Sequence, residues 1–178
     1  ACKAHSCERP AFSRHSRYPE APDKKFMEEG SMKKLFTMSV VQQHDIDMGV
    51  TCLGETLVSP TDGGVFEGDE LRGEIVPIGM GATYTPAPGI NNIDGLMMLK
   101  TDDGAHILME MKAFLDINKS VEEKLMNGEY VLPDEYYFKG TVDFRTGDER
   151  YKWLERKICV CTSEIVNWER VDTTVYLV

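Results

Sequence analysis

From Met32 onward the chain alternates short apolar-rich runs with clusters of turn residues. KKLFTMSVV, MGVTCLGETLVS, LRGEIVPI, the two arms of DGLMMLKTDDGAHILMEMKAF, YYFKGTVDFRT, ERKICVCTS and TTVYLV are rich in β-branched, aromatic and other apolar side chains. Gly, Pro, Asn and Asp punctuate them, so each predicts a strand. Gly73, inside the third run, predicts a bulge or a close packing contact. PTDGG predicts a turn, and GMGATYTPAPGINN (79–92) predicts a long loop able to close over a site. NKSVEEKLMNG breaks the pattern. Asn118 or Ser120 is placed to cap a helix there, Glu122 and Glu123 suit its first turn, and Gly128 ends it. Val121 and Leu125, four apart, face the body. GDERYKWLE predicts a further short helical turn. Strands and full helices do not alternate, which argues against a parallel α/β fold.

The segment 94–114 decides between architectures. With Asp103-Gly104 as a two-residue turn, Asp102 pairs with Ala105. One face then carries Asp94, Leu96, Met98, Ile107, Met109, Met111 and Ala113, and the other Met97, Leu99, His106, Leu108, Glu110 and Phe114. A longer turn shifts the register and changes the pairs. In either register both faces are largely apolar and both need cover. A closed antiparallel barrel around a lined cavity, packed outside against the helix or another subunit, provides it. A two-sheet sandwich is the alternative.

Composition narrows the function classes. The chain has 178 residues and a formal net charge of -10, which suits one domain with a sizeable core and argues against nucleic acid or an anionic membrane as partner. Residues 1–31 differ from the rest: they are polar, Pro-containing and near neutral, with six Lys/Arg against five Asp/Glu. They read as a poorly ordered extension or leader ahead of a barrel domain over 32–178. No apolar run approaches the roughly 18 residues that span a bilayer. There are five cysteines, an odd number that fits a reducing, cytoplasmic setting. Cys159 and Cys161 share one face of a strand, in poor geometry for a disulfide, and read as buried inert thiols.

DGGVFEGDELRGEIVPIG, NIDGLMMLKTDDGAHILMEMKAF and DEYYFKGTVDFRTGDERYKWLER together look like a family catalogued as domain of unknown function 3237, the UPF-type small β-barrel proteins of bacteria and fungi. The resemblance covers roughly residues 35–178, and TDDGA, EYYF and RYKWL are its most specific pieces. It implies a barrel of about eight or nine antiparallel strands, related in shape to the allene-oxide-cyclase and dirigent barrels, and no agreed activity. The family often has Asp-x-Arg where this chain has Asp94-Gly95-Leu96, so a role for that Arg has no counterpart here.

The fold expectation is therefore mainly β: a single closed antiparallel barrel with one short α-helix. Candidate chemistry is sparse. Asp94 stands where the Gly/Pro loop meets a strand of Leu and Met. It is placed either for acid–base work, with Tyr137 as a partner phenol, or to cap the loop through backbone N–H groups. Tyr84, Met98, Met109, Glu110, Arg145 and Trp153 are candidate ligand contacts, although Glu110 also suits a cross-strand pair and Arg145, Tyr151 and Trp153 also suit pinning a loop. His106, beside the turn, reads as exposed. Tyr136–Phe138 suits core packing as well as a cavity. Motifs for a nucleophilic serine, phosphate, dinucleotide or zinc are absent from the sequence, so neither a metal nor another cofactor is expected. Two functions remain. One is a cofactor-free isomerase, cyclase or lyase acting on an apolar or phenolic molecule. The other is a carrier of a lipophilic one. The chain also allows a homo-oligomer.

Overall fold

Residues that alternate inward and outward on every strand leave two apolar layers only if the sheet curls onto itself. The computed structural model, which describes residues 32–178 other than Trp168, does this. The extension expected over 1–31 lies outside the described residues.

The elements run β1 (Lys33–Gln42), β2 (Ile46–Thr51), β3 (Gly54–Glu67), β4 (Gly73–Ala87), β5 (Ile90–Thr101), β6 (His106–Asp116), α1 (Lys119–Met126), β7 (Tyr137–Arg145), a short 3-10 helix (Lys152–Arg156), β8 (Cys159–Asn167) and β9 (Arg170–Leu177). All pairings are antiparallel. The order β1-β9-β8-β7-β6-β5-β4-β3 closes where β3 returns to β1, giving eight barrel strands, and β2 adds to β3 outside that circuit. The expected barrel is thus the observed one, not the sandwich.

Three local expectations are corrected. MGVTCLGETLVS is two strands, β2 and the start of β3, separated at Cys52-Leu53. PTDGG is a bulge within β3, where the pairing with β4 slips between Pro60 and Gly64. The expected loop 79–92 is the end of β4, a tight turn at Pro88-Gly89 and the start of β5, with Tyr84 opposite Asn92.

The hairpin of β5 and β6 takes the longer turn. Lys100 pairs with His106 and Leu99 with Ile107. Thr101 closes the turn, its N–H donating to the Ala105 carbonyl at 2.9 Å and its hydroxyl to Asp103 at 2.5 Å. This one-residue shift sends Met97, Leu99 and Thr101 inward with Ile107, Met109 and Met111, and it sends Asp94, Leu96 and Met98 outward. The outer wall stays partly apolar, with Ile78, Met80 and Leu96 exposed.

One half of the barrel is filled. Phe36 lies 5.5 Å from Phe66 and 6.0 Å from Phe144, ring centre to ring centre, with Leu99, Ile107, Met109 and Leu154 buried in the same core. The segment 146–157 is tied to this end. Arg150 donates to Asp103 at 2.7 Å, and the Tyr151 hydroxyl donates to the same carboxylate at 2.9 Å. Cys159 and Cys161 are buried and free, as expected, and burial pushes the Cys161 thiol up to about 11.

Candidate functional site

The other half of the barrel is open. Cross-strand pairing lays inward side chains in rows, and the contents of each row set the space. Ser59 pairs with Gly81 and Gly81 with Gly95, whose other neighbour is Met111. Two adjacent glycines remove the side chains that would meet across the lumen at this level. A Cβ built on Gly81 meets only the Gln42 amide nitrogen, at 3.6 Å. The next rows outward are Leu57, Thr83, Ile93 and Ala113, then Glu55, Thr85, Asn91 and Leu115. The result is a cavity of about 1000 Å³, at the upper end of the range for small-molecule sites.

Its floor and sides are apolar: Val40, Ile93, Met97, Met111, Phe138 and Ile165. Polar groups enter nearer the mouth. The Ser59 hydroxyl donates to the Asp45 carboxylate at 2.5 Å, Asp45 being on the turn from β1 to β2. Thr85 donates to Asn91 at 2.6 Å. The Gln42 side-chain amide and the Thr83 hydroxyl also line the cavity and have no hydrogen-bond partner among the described residues, so both are available to a ligand. The charged lining residues are Asp45, Glu55, Lys119 and Glu122, all exposed at the rim.

Helix α1 shapes one side of the mouth. Asn118 caps it, its side chain accepting the Val121 N–H at 3.1 Å, while Val121 and Leu125 are buried beneath. Tyr136 is buried near the same end and accepts the Ile165 N–H at 2.9 Å. Burial raises the pKa of its hydroxyl, which is engaged with the wall and does not line the cavity.

None of the residues expected to form the site lines this cavity. Asp94 faces outward and exposed in mid-strand, between Ala82 and Lys112. Tyr137 is outward and exposed, with the Lys139 ammonium 5.4 Å from its ring centre. Tyr84 and Met98 lie on the outer wall. Glu110 and Arg145 form a bidentate pair there, at 2.8 and 3.1 Å. Met109 points inward but is fully buried in the filled half, and Trp153 packs on the core from the 3-10 helix. For Asp94 and Met98 the physical reason is parity: the longer turn at 101–105 reverses which side of β5 faces the lumen. The residues missed are Gln42, Asp45, Glu55, Ser59, Gly81, Thr83 and Gly95. A weak signal was present, since Gly79, Gly81, Thr83 and Thr85 repeat small residues with the period of a strand. Among the described residues no cluster of His, Cys, Asp and Glu could hold a metal ion, and no helix is long and apolar enough to cross a membrane.

An antiparallel barrel with one half filled by side chains and the other opening into a lined cavity defines the class: a small closed β-barrel with an internal pocket. The chain belongs to the family described as protein of unknown function (DUF3237), whose model matches residues 31–178. A UPF0311 protein of Clostridium acetobutylicum is 25% identical over 136 residues, covering 76% of this chain and 86% of that protein. A β-barrel-like protein from Acinetobacter baumannii has a solved structure that superposes with TM-score 0.72 at 30% identity, covering 83% of this chain and 94% of that one. An enzyme from Penicillium herquei shares the fold with TM-score 0.60 at 17% identity, covering 82% and 93%.

Proposed function

We propose that this chain binds a small apolar or aromatic molecule in the open half of the barrel and acts on it by proton transfer, as a cofactor-free isomerase, cyclase or lyase. The observation that carries the reading is the Asp45–Ser59 hydrogen bond of 2.5 Å at the mouth of a cavity whose floor is mainly apolar. An apolar floor holds the body of the ligand and fixes its orientation, and orientation alone lowers the barrier of an intramolecular rearrangement. Ser59 fixes one oxygen of Asp45 and leaves the other to accept a ligand proton and return it. Gln42 and Thr83 supply neutral hydrogen bonds to a carbonyl or hydroxyl as charge shifts. The fold likeness to a Penicillium herquei protein described as an enzyme is compatible with this. The second reading, a lipophile carrier, draws on a different observation: the carboxylates stand at the rim, and the floor is mainly apolar.

Native mass spectrometry of the purified chain, followed by incubation of any retained molecule in deuterated water, separates the two. The enzyme reading expects deuterium in the ligand with the wild-type chain, and at least tenfold slower incorporation with Asp45→Asn at unchanged binding. A retained ligand that never exchanges, or exchanges equally fast with Asp45→Asn, leaves the carrier. Gly81→Leu fills the cavity and should abolish retention in either case.

A further inference from the structure

We infer that the cavity selects neutral or cationic lipophiles with a hydrogen-bond donor at one end and turns away anionic amphiphiles such as fatty acids or aryl carboxylates. This rests on the binding reading above and narrows it to a ligand class.

The argument is an inventory of charge along the path a ligand takes. Among the described residues three carboxylates line the mouth, Asp45, Glu55 and Glu122, against one cation, Lys119. Lys119 itself lies 3.7 Å from the Glu123 carboxylate. Among the described residues no arginine lines the cavity, so they supply no fork of the kind that usually holds a carboxylate or phosphate. The N-terminus of α1 also meets the mouth, and its partial positive charge would favour an anion. That end is already answered, because Asn118 accepts the Val121 N–H through both its side chain and its carbonyl, and Glu122 stands in the first turn.

An anionic head therefore has two places to go, and both are unfavourable. At the rim it meets like charge. On the floor, among Val40, Met97, Met111 and Phe138, it is desolvated with no cation beside it, and the neutral donors Gln42 and Thr83 do not offset the loss of hydration of a full charge. A hydroxyl or amine reverses both conditions. Its apolar body leaves water on the floor, and its N–H or O–H reaches a ring of acceptors in Asp45 and Glu55, making charge-assisted bonds. The excess of acid over base in the whole chain, net -10, adds long-range repulsion of the same sign.

Two fluorescent probes with the same aromatic body test this on the full chain: neutral N-phenyl-1-naphthylamine and anionic 1-anilinonaphthalene-8-sulfonate, titrated at neutral pH and low salt. The neutral probe is expected to bind at least tenfold more tightly. The gap is expected to narrow severalfold in Glu55→Gln/Glu122→Gln and in about 1 M salt, where the screening length falls to about 3 Å. Gly81→Leu, or Thr83→Phe should that variant not fold, is expected to abolish binding of the neutral probe. Equal or tighter binding of the sulfonate, or a gap unmoved by the double substitution, overturns the charge selection and leaves the cavity reading standing. Failure of both probes to bind, or neutral-probe binding unchanged in a folded cavity-filled variant, overturns the cavity reading and this inference with it.

Discussion

Gly64 stands where β3 turns back to pair with β1, opposite Val40. Its φ is +150°, and a Cβ there would lie 2.0 Å from the Ser39 carbonyl oxygen. That oxygen is backbone in a paired strand and cannot step aside, so Gly64→Ala must open the β1–β3 seam or distort it. Overpacking costs about 1–3 kcal/mol and an unfavourable backbone conformation about as much again. Gly64→Ala is therefore expected to lose about 3 kcal/mol in urea unfolding, and Gly104→Ala, with nothing within 4 Å of its Cβ position, distinctly less. Equal losses would mean that the seam is not what constrains Gly64. The same residue shows why sequence alone misled at this scale. Asp-Gly-Gly is turn chemistry, and only the long-range approach of β1 makes it a bulge. Asp94 is the parallel case. Its neighbours in sequence are apolar, but whether it faces them or solvent depends on a turn seven residues away.

Helix α1 was the element most legible in the sequence, because its signals are local. Asn118 supplies the cap, Val121 and Leu125 the buried side, and Gly128 the stop at φ +75°. β4 was the least legible, and the reason lies in the cavity. A strand that lines an open lumen carries Gly and Thr inward, where a strand of a filled core carries Val or Leu. Gly79, Gly81 and Pro86 therefore resemble a loop although all three lie within β4 and Gly81 is paired on both sides. The helix yields a measurement at its own scale. Asn118→Ala removes the bond to the Val121 N–H, 3.1 Å long, and caps of this kind contribute about 1 kcal/mol. Because α1 borders the mouth through Asn118, Lys119 and Glu122, the loss should appear locally as well. Amide exchange over 119–123 is expected to speed up several-fold while the amides of β6 hold their protection. Faster exchange through the whole of β6 would show that the helix and the barrel wall open as one unit.

At the scale of the molecule, the closed barrel was legible because a hairpin apolar on both faces needs two layers of cover, whichever register it adopts. The ties that hold its filled end were not legible, since Asp103 is 47 and 48 residues from Arg150 and Tyr151. They now bear on how stability follows pH. Hydrogen bonds from Thr101 and Tyr151, with the Arg150 charge, hold the Asp103 carboxyl below its usual range, and Arg150 lowers Asp148 to about 2. Unfolded aspartates titrate near about 4. The unfolded chain thus binds protons at these sites that the native chain refuses, so their contribution is complete above about pH 4 and is lost as pH falls towards 2. At the alkaline end the sign reverses. Burial raises the Cys159 thiol and pushes Cys161 up to about 11, whereas an unfolded thiol ionises near about 8.5. Above that pH the unfolded state releases protons that the native state keeps, and stability declines as pH rises. Urea midpoints are expected to be level between about pH 5 and 8 and to fall on both sides. In Cys159→Ala/Cys161→Ala the whole curve should drop, but its alkaline limb should be shallower than that of wild type. An alkaline limb of undiminished slope in the double variant would place its cause elsewhere than in the buried thiols.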